Sequence, residues 1–212
     1  MKLYVLPPSP RALKVIALKN YLGLNCEMQL VDLSKDDHLA SGYELLNPNR
    51  KMPVLEDGDF VLWESNAILQ YLASKNPDSG LWPRDSRNQA DVLRWMFWES
   101  SHWDQQACGA VGFEKASKMV LRLGPPDPAR IADGEREFHR FASVLNNYLR
   151  GRRWLVADNL TIADFSIGAW IPIVGALQLP LTEYPEILKW YKEGLAQLPA
   201  WQSSLVSPAS NR

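Results

Sequence analysis

The segment NRKMPVLEDGDFVLWESNAILQYL, residues 49–72, decides the fold of the first third of the chain. Two apolar runs, VLED and FVLW, are joined by a Gly-Asp pair, a pattern that predicts a short β-hairpin. The amphipathic pattern from about Ser65 to Ser74 then predicts a helix. Two features need an explanation: Pro53 directly precedes a strand, and the carboxylate of Glu64 stands beside a hydroxyl where the helix begins.

The residues before the hairpin alternate between strand and helix patterns. KLYVL (2–6) and EMQLVDL (27–33) predict strands, and RALKVIALKNYLGL (11–24) has the spacing of a helix between them. Together with the hairpin and its helix, the order is βαβ-α-ββα. The first βαβ unit predicts parallel strands and the hairpin adds antiparallel ones, so we expect an α/β domain with a mixed four-stranded sheet.

The remainder of the chain has a helical pattern throughout. A stretch rich in Pro, Gly, Ser and Asp precedes it and predicts a linker at 77–87, between a first domain of residues 1–76 and an all-α domain of residues 88–212. Amphipathic segments cover about 86–122, with an interruption near ACGAVG, and about 128–150. LTIADFSIGAWIPIVGAL is apolar nearly all round and predicts a buried central helix.

Composition excludes several classes of function. The chain of 212 residues is 46% apolar and 22% charged, with a formal net charge of −1 and no block of like charges, which disfavours nucleic-acid or membrane-surface binding. Its two cysteines, Cys26 and Cys108, have neither metal nor CxxC spacing, and we expect a reducing compartment without a structural disulfide. The apolar run at the start of the sequence is too short for a signal peptide, so we expect a soluble cytoplasmic protein.

Ser9 is the first candidate for chemistry. Serine is a favoured N-cap and proline a favoured first helical residue, so helix capping alone accounts for Ser9 followed by Pro10. The hydroxyl also stands after a strand and at the positive end of a helix dipole, where it can donate a hydrogen bond to an anion such as a thiolate. The two roles are compatible.

Glu64, Ser65 and Pro53 admit two interpretations each. Ser65 can simply cap the helix, with Glu64 a solvated charge beside it. Alternatively, the helix-start N–H groups and the Ser65 hydroxyl bind the carboxylate of an amino-acid-like ligand while Glu64 pairs with its ammonium group. Pro53 suits an edge strand with an ordinary trans bond, whereas a cis bond there leaves the backbone of Met52 available to a ligand.

Other polar residues carry weaker signals. The three histidines, His38, His102 and His139, have no metal spacing, and surface or packing roles are the default, so we expect no metal site. Thr161 and Asp164 in TIAD have the spacing of a capping box, a stability signal. The tryptophan-rich run 95–103 is typical of a core.

In this order the pieces resemble the cytosolic glutathione S-transferase family over almost the whole chain. NPNRKMPVLEDGDFVLWESNAILQYLA is similar to the family segment that runs from an Asn-Pro turn through a cis-proline to a helix, and LTIADFSI is similar to the family capping box. MKLYVLPPSPRALKV resembles the first strand and active-site turn of the serine-type classes (theta, delta, phi and related bacterial forms). The resemblance implies a thioredoxin-like domain followed by an all-helical one.

The resemblance also implies a role for each candidate. Pro53 becomes the cis-proline that presents the backbone of Met52 to the cysteinyl amide of glutathione, and Glu64 and Ser65 hold the γ-glutamyl end. Three residues match positions near the glycine carboxylate: His38, Arg50 and Lys51.

Ser9 aligns with the catalytic serine of the serine-type classes, where a hydrogen bond to the glutathione sulfur favours thiolate over thiol. Arg11 adds positive potential. Prolines flank Ser9 where serine-type relatives often carry glycine or a second serine, and the absence of a cysteine from this turn disfavours thiol exchange through the protein.

We therefore predict an enzyme that conjugates glutathione, as co-substrate and with no other cofactor, to small apolar or aromatic electrophiles. The acceptor pocket is expected between the domains, with Trp103 and His102 on its wall, and the resemblance implies a homodimer. Two alternatives remain open: a glutathione-dependent disulfide or peroxide reductase or isomerase using the same site, and a non-catalytic binding or assembly module.

Overall fold

The computed structural model describes residues 1–205. Four strands and eleven helices are formed in this part of the chain. In order they are β1 (Lys2–Val5), α1 (Pro10–Tyr21), β2 (Glu27–Leu30), α2 (Ser41–Leu46), β3 (Val54–Asp57), β4 (Phe60–Trp63), α3 (Ser65–Ser74), α4 (Ser86–Trp98), α5 (Gly109–Gly112), α6 (Lys118–Val120), α7 (Pro128–Tyr148), α8 (Ile162–Gly168), α9 (Ile171–Val174), α10 (Pro185–Glu193) and α11 (Pro199–Leu205).

The four strands form one mixed sheet in the order β2-β1-β3-β4. β1 pairs with β2 in parallel and with β3 in antiparallel orientation, and the predicted hairpin joins β3 to β4. The mixed four-stranded sheet and the thioredoxin-like element order confirm the predicted fold class. β2 is shorter than predicted and exposed along its length, because it is an edge strand that pairs only with β1.

The core of the first unit lies between the sheet and the helices that pack on it. Alternate residues of β1, Leu3 and Val5, are buried, and α1 is buried almost continuously from Ala12 to Leu18. α1 ends three residues earlier than predicted because Gly23 adopts a φ of +63°, which turns the chain out of the helix, and the next N–H donates back to the Lys19 carbonyl at 3.0 Å.

The described part of the chain divides into two compact units, one formed by Met1–Trp82 together with residues 197–205, and the other by Pro83–Ala196. The break after Trp82 falls inside the predicted linker. α11 groups with the first unit because it packs on α1, where Asn20 Nδ2 donates to Ser203 Oγ at 3.2 Å, whereas the predicted domain of residues 88–212 includes it. The domain boundaries themselves, 1–76 and 88–212, stay a prediction.

In the helical unit, the small residues of ACGAVG predict an interruption of the helical segment after α4. The structure shows no such interruption. The segment stays helical but widens to π-type turns over Glu99–Cys108 and again over Phe113–Ser117. Gly109 permits the first of these turns. A Cβ at this position would overlap both the carboxylate and the carbonyl oxygen of Asp104.

The buried helix α8 begins with the predicted capping box, in which Asp164 Oδ2 accepts from the N–H of Thr161 at 2.9 Å. The other oxygen of this buried carboxylate accepts from the N–H of Leu155 at 3.0 Å and from Trp190 Nε1 at 3.1 Å. Asp164 thus connects α8, α10 and the loop before α8. The helical unit also contains a cluster of four rings in mutual contact: Trp98, Trp103, Phe138 and Phe141.

Candidate functional site

The pairing of the strands brings the candidate residues of the first unit to one end of the sheet. β1 and β2 are parallel, and β3 runs against β1, with Tyr4 opposite Val54. β4 returns alongside β3, with Trp63 opposite Val54. The chain therefore leaves β1, β2 and β4, and enters β3, at the same end. The segments at this end carry the following predicted residues: Ser9, Arg11, His38, Arg50, Lys51, Met52, Pro53, Glu64 and Ser65.

Ser9 is the N-cap of α1, as its sequence context predicts. Its backbone is anchored, since its N–H donates to the Leu6 carbonyl at 2.8 Å and its carbonyl accepts from the N–H of Leu13 at 2.9 Å. Its side chain, however, makes no capping hydrogen bond. The half-buried hydroxyl is therefore not used to cap α1, and the first N–H groups of that helix share the same end of the sheet. Two prolines precede Ser9, and the Pro7–Pro8 bond is cis.

The peptide bond between Met52 and Pro53 is cis, and β3 begins at the next residue. The segment before it is held by two side chains that donate to the same carbonyl oxygen, that of Lys51: Tyr43 Oη at 2.8 Å and Asn47 Nδ2 at 2.8 Å. Burial raises the pKa of Tyr43, so its phenol stays a donor throughout the ordinary pH range. Sequence reasoning missed both donors. An Asn-Pro turn shortly before a strand is the signal for Asn47, whereas no pattern marks Tyr43.

Helix α3 begins with Ser65 as its first residue, and Glu64 is its N-cap. Of the two interpretations of Ser65, helix capping is therefore not the one observed: no capping hydrogen bond from the N-cap side chain is formed, and the Ser65 side chain is buried at the helix start. Glu64 has φ of 71° and ψ of 111°, a conformation that costs a non-glycine residue about 1–3 kcal/mol and is concentrated at functional sites. Its exposed carboxylate thus stands next to the N–H groups of the first turn of α3, which have no carbonyl partner within the helix itself.

Two further residues extend to this helix start, and sequence reasoning missed them. Lys14 lies on the inner face of α1, only 2% exposed, and its Nζ donates to Asn66 Oδ1 at 2.8 Å. Asn66 directly follows Ser65. A lysine inside the apolar run from Ala12 to Leu18 is the sequence signal that marks this position.

The three residues predicted near the glycine carboxylate differ in their surroundings. His38 lies in a short turn after β2, and its Nδ1 is buried without a hydrogen-bond partner. Arg50 is exposed and forms an ion pair of 2.9 Å with Glu44. The Lys51 side chain is exposed, while its carbonyl is the acceptor described above. Arg11 is exposed on the first turn of α1.

The residues predicted for an acceptor pocket, His102 and Trp103, both lie in the wide-turn segment of the helical unit. His102 is half-buried, with Nδ1 3.0 Å from Gln106 Nε2, and its ring stacks on Phe141 at 5.0 Å. Trp103 is 0% exposed and stacks between Trp98 and Phe138. A side chain with no exposed surface serves the core of the helical unit, so the expectation that Trp103 forms a pocket wall is corrected.

Neither cysteine is available as a reactive thiol. Cys26 and Cys108 are both buried and free, and burial raises the pKa of each thiol. Within residues 1–205, no group of three or more His, Cys, Asp or Glu side chains could hold a metal ion. Over the same residues, no helix has the length and apolarity needed to cross a bilayer.

Comparison with known proteins identifies one family whose two domains match the two parts of this chain. The model of the glutathione S-transferase N-terminal domain matches residues 1–74, which contain all of the sheet-end residues, and that of the C-terminal domain matches residues 117–197. Glutathione S-transferase 3 of Zea mays is 31% identical over 98% of this chain and 94% of its own length. The chain belongs to the glutathione S-transferase family.

Other glutathione S-transferases match over the same extent. Glutathione S-transferase D7 of Drosophila melanogaster is 27% identical, covering 98% of this chain and 89% of its own. A glutathione transferase structure from Pseudomonas putida, with one glutathione disulfide bound per subunit, superposes with a TM-score of 0.85 at 27% identity over 98% of this chain and 91% of that one. Insect, plant and bacterial glutathione S-transferases thus match alike, and they do not single out one class of the family.

Proposed function

We propose that this protein binds glutathione at the end of the sheet described above and transfers its sulfur to a small electrophile. The observation that carries this proposal is that the N-termini of α1 and α3 share one end of the sheet, and that the Ser9 hydroxyl at the first of them makes no capping hydrogen bond. Each helix N-terminus favours an anion, and glutathione offers a thiolate and carboxylates.

The binding roles follow from the local chemistry. The N–H groups of the first turn of α3 and the Ser65 hydroxyl hold the γ-glutamyl carboxylate, and Glu64 pairs with the adjacent ammonium group. The backbone of Met52, before Pro53, bonds to the cysteinyl amide. His38 has a buried, unpartnered Nδ1, which makes it our first choice for the glycine end.

Lys51 and Arg50 also belong to the proposed binding set near the glycine carboxylate. The exposed ammonium group of Lys51 is able to move toward an anion, whereas Arg50 already pairs with Glu44 at 2.9 Å and must exchange that partner. Both are expected to contribute less than a preformed contact, because exposed ion pairs are weak.

Ser9 is the proposed catalytic residue. A free thiol has a pKa of about 8.5, so a shift of two units toward thiolate corresponds to roughly 2.7 kcal/mol of preferential stabilisation. A hydrogen bond donated by the Ser9 hydroxyl and the positive end of α1 are together sufficient for that amount. Arg11, on the first turn, adds positive potential.

The second substrate is proposed to be a small apolar or aromatic electrophile bound with the help of His102. The thiolate sulfur forms a bond to the electrophilic carbon, and in a substitution the leaving group departs with the electron pair of the bond that breaks. Thiolate stabilisation and positioning supply the catalysis.

A second candidate reaction is glutathione-dependent disulfide reduction. The Pseudomonas putida relative binds glutathione disulfide, which favours this candidate. Because both cysteines of the chain are buried, the attacking thiolate must be that of glutathione. This thiolate attacks the substrate disulfide, forms a mixed disulfide with one half of it and releases the other half as a thiolate. The thiolate of a second glutathione then attacks the mixed disulfide, releases the remaining half as a thiolate and yields glutathione disulfide.

The first experiment is an ultraviolet difference titration of glutathione into the purified protein near pH 7, with Ser9→Ala and Ser41→Ala alongside. We expect saturable thiolate absorbance in the wild type and in Ser41→Ala. Ser9→Ala is expected to bind glutathione, lose most of the thiolate signal and lose about 100-fold in kcat. Normal turnover by Ser9→Ala would show that another group activates the sulfur. Binding without thiolate would favour disulfide chemistry, and no binding would favour a non-catalytic module.

We also propose that the protein is a cytoplasmic homodimer. Family membership supports the dimer, and two free buried thiols suit a reducing compartment. Sedimentation equilibrium of the purified chain, over a range of concentrations, tests the dimer directly; a monomer at all concentrations would contradict it.

A further inference from the structure

Lys14 is the only lysine or arginine that is buried among residues 1–205. It lies in the middle of α1, flanked by the buried side chains of Leu13 and Val15. Removing an ammonium group from water costs several kcal/mol unless hydrogen bonds and charge compensate. A lysine at this position therefore lowers the stability of the folded state, whereas an apolar residue would continue the pattern of its neighbours.

A hydrogen bond from Lys14 to the start of α3 offers a functional reason for burying this charge. Its Nζ donates to Asn66 Oδ1 at 2.8 Å, and Asn66 is the second residue of α3. A buried lysine of one helix thus holds the first turn of another, next to Ser65. The ammonium group also lies at the positive end of the α3 dipole, so the two positive charges add in the same place. An anion bound at this turn is stabilised by both.

We propose that Lys14 is a positioning residue for the glutathione site: it holds Asn66, fixes the first turn of α3, and adds buried positive charge behind the proposed carboxylate-binding N–H groups. At 2% exposure, Lys14 acts through Asn66 and through its charge rather than by touching glutathione. The inference rests on the proposed function and adds a residue from α1 to a site formed by α3.

A purely structural tie between α1 and α3 is the competing explanation. Loss of such a tie lowers the free energy of unfolding but leaves the affinity of the folded protein for glutathione unchanged. Loss of a positioning residue lowers that affinity, while kcat at saturating glutathione changes little, because Ser9 and the thiolate are untouched. The separation of affinity from kcat distinguishes the two explanations.

The test compares Lys14→Met, Asn66→Ala and the double variant with the wild type. Lys19→Met is the matched control, because Lys19 lies on the same helix and contacts Asn20 rather than α3. Isothermal titration gives the glutathione dissociation constant of each folded protein, and steady-state kinetics give KM and kcat. We expect Lys14→Met to weaken glutathione binding about tenfold, as loss of one charge-assisted hydrogen bond allows. The double variant is expected to lose less than the sum of the single variants.

Equal glutathione affinity of wild type, Lys14→Met and Asn66→Ala would overturn the inference, as would an equal loss in Lys19→Met. If Lys14→Met does not fold, Asn66→Ala decides, since the half-buried amide is less demanding to remove. A wild type that does not bind glutathione would refute the proposed function itself. A wild type that binds, with variants that bind equally well, would refute only the role of Lys14.

Discussion

The hydroxyl of Tyr43 donates a hydrogen bond of 2.8 Å to the carbonyl oxygen of Lys51, although the two residues belong to different segments of the first unit. Tyr43 lies on α2, where it packs with Val31 and Val54 in a small apolar cluster. The bond therefore connects the packing of α2 to the segment that precedes Pro53.

Tyr43→Phe tests that connection. The variant keeps the packing and removes one donor from a carbonyl that Asn47 also serves, so we expect a loss of about 1 kcal/mol in the free energy of unfolding and a severalfold weaker affinity for glutathione. Tyr148→Phe is the control, because Tyr148 Oη also donates to a main-chain carbonyl, that of Leu155, at 2.9 Å in the helical unit. Equal effects of both variants on glutathione affinity would contradict the prediction. Urea denaturation and isothermal titration supply both quantities.

Ser65→Ala is expected to weaken glutathione binding by about tenfold to 100-fold, since it removes the hydroxyl that is proposed to donate a hydrogen bond to the charged carboxylate of glutathione at the start of α3. Ser74→Ala, at the last residue of the same helix, is exposed and provides the matched control. The dissociation constants are measured by isothermal titration. Unchanged affinity in Ser65→Ala would remove this residue from the proposed site and would leave the N–H groups of α3 as the sole anion donors there.

Asp164 predicts a specific dependence of stability on pH. Its complete burial raises the pKa of its carboxyl from 3.8 to about 6, despite the hydrogen bonds donated by Thr161, Leu155 and Trp190. The folded state therefore retains a proton that the unfolded state releases, and this group's contribution to stability falls by about 2 kcal/mol as pH rises from 4 to 7, then stays nearly constant.

We expect the difference in unfolding free energy between wild type and Asp164→Asn to fall by that amount across the same interval, measured by urea denaturation at pH 4, 5, 6 and 7. Carboxylates with lowered pKa values, such as Asp57 and Glu114, produce the opposite trend, but they are present in both proteins and cancel in the difference. A difference that is independent of pH would mean that Asp164 titrates alike in the folded and unfolded chain.

Gly109→Ala is expected to destabilise the helical unit by more than 2 kcal/mol, because the added methyl group meets the carboxylate and the main-chain carbonyl of Asp104, and a main-chain atom cannot move aside cheaply. Gly112→Ala is the control within the next turn. Its added Cβ has its nearest neighbour, a Leu177 methyl, at 3.5 Å, and the better helix propensity of alanine should stabilise it by up to about 1 kcal/mol. Thermal denaturation of both variants checks the prediction; destabilisation of equal size would contradict it.

Local patterns were sufficient for much of the first unit. The hairpin and the helix Ser65–Ser74 occur at the predicted positions because turn residues and apolar spacing act over a few residues. The capping box of Thr161 and Asp164 was predictable for the same reason.

Features that depend on tertiary contacts were not predictable in this way. The wide turns after Trp98 depend on the fit of Asp104 over Gly109, and small residues alone suggested an interruption instead. The donor from Tyr43 to Lys51 and the complete burial of Trp103 depend on partners that no local spacing reveals.

The ring cluster in the helical unit has an optical consequence. Six of the nine tryptophans lie within Pro83–Ala196, and Trp98 and Trp103 stack with centroids 5.9 Å apart. The intrinsic tryptophan fluorescence of the protein therefore reports mainly on the folding of this unit. The binding of glutathione would report on the folding of the unit that contains the sheet. Following both signals along one denaturant titration separates loss of the helical core from loss of the ligand site, and coincident midpoints would indicate that the chain unfolds as a single cooperative body.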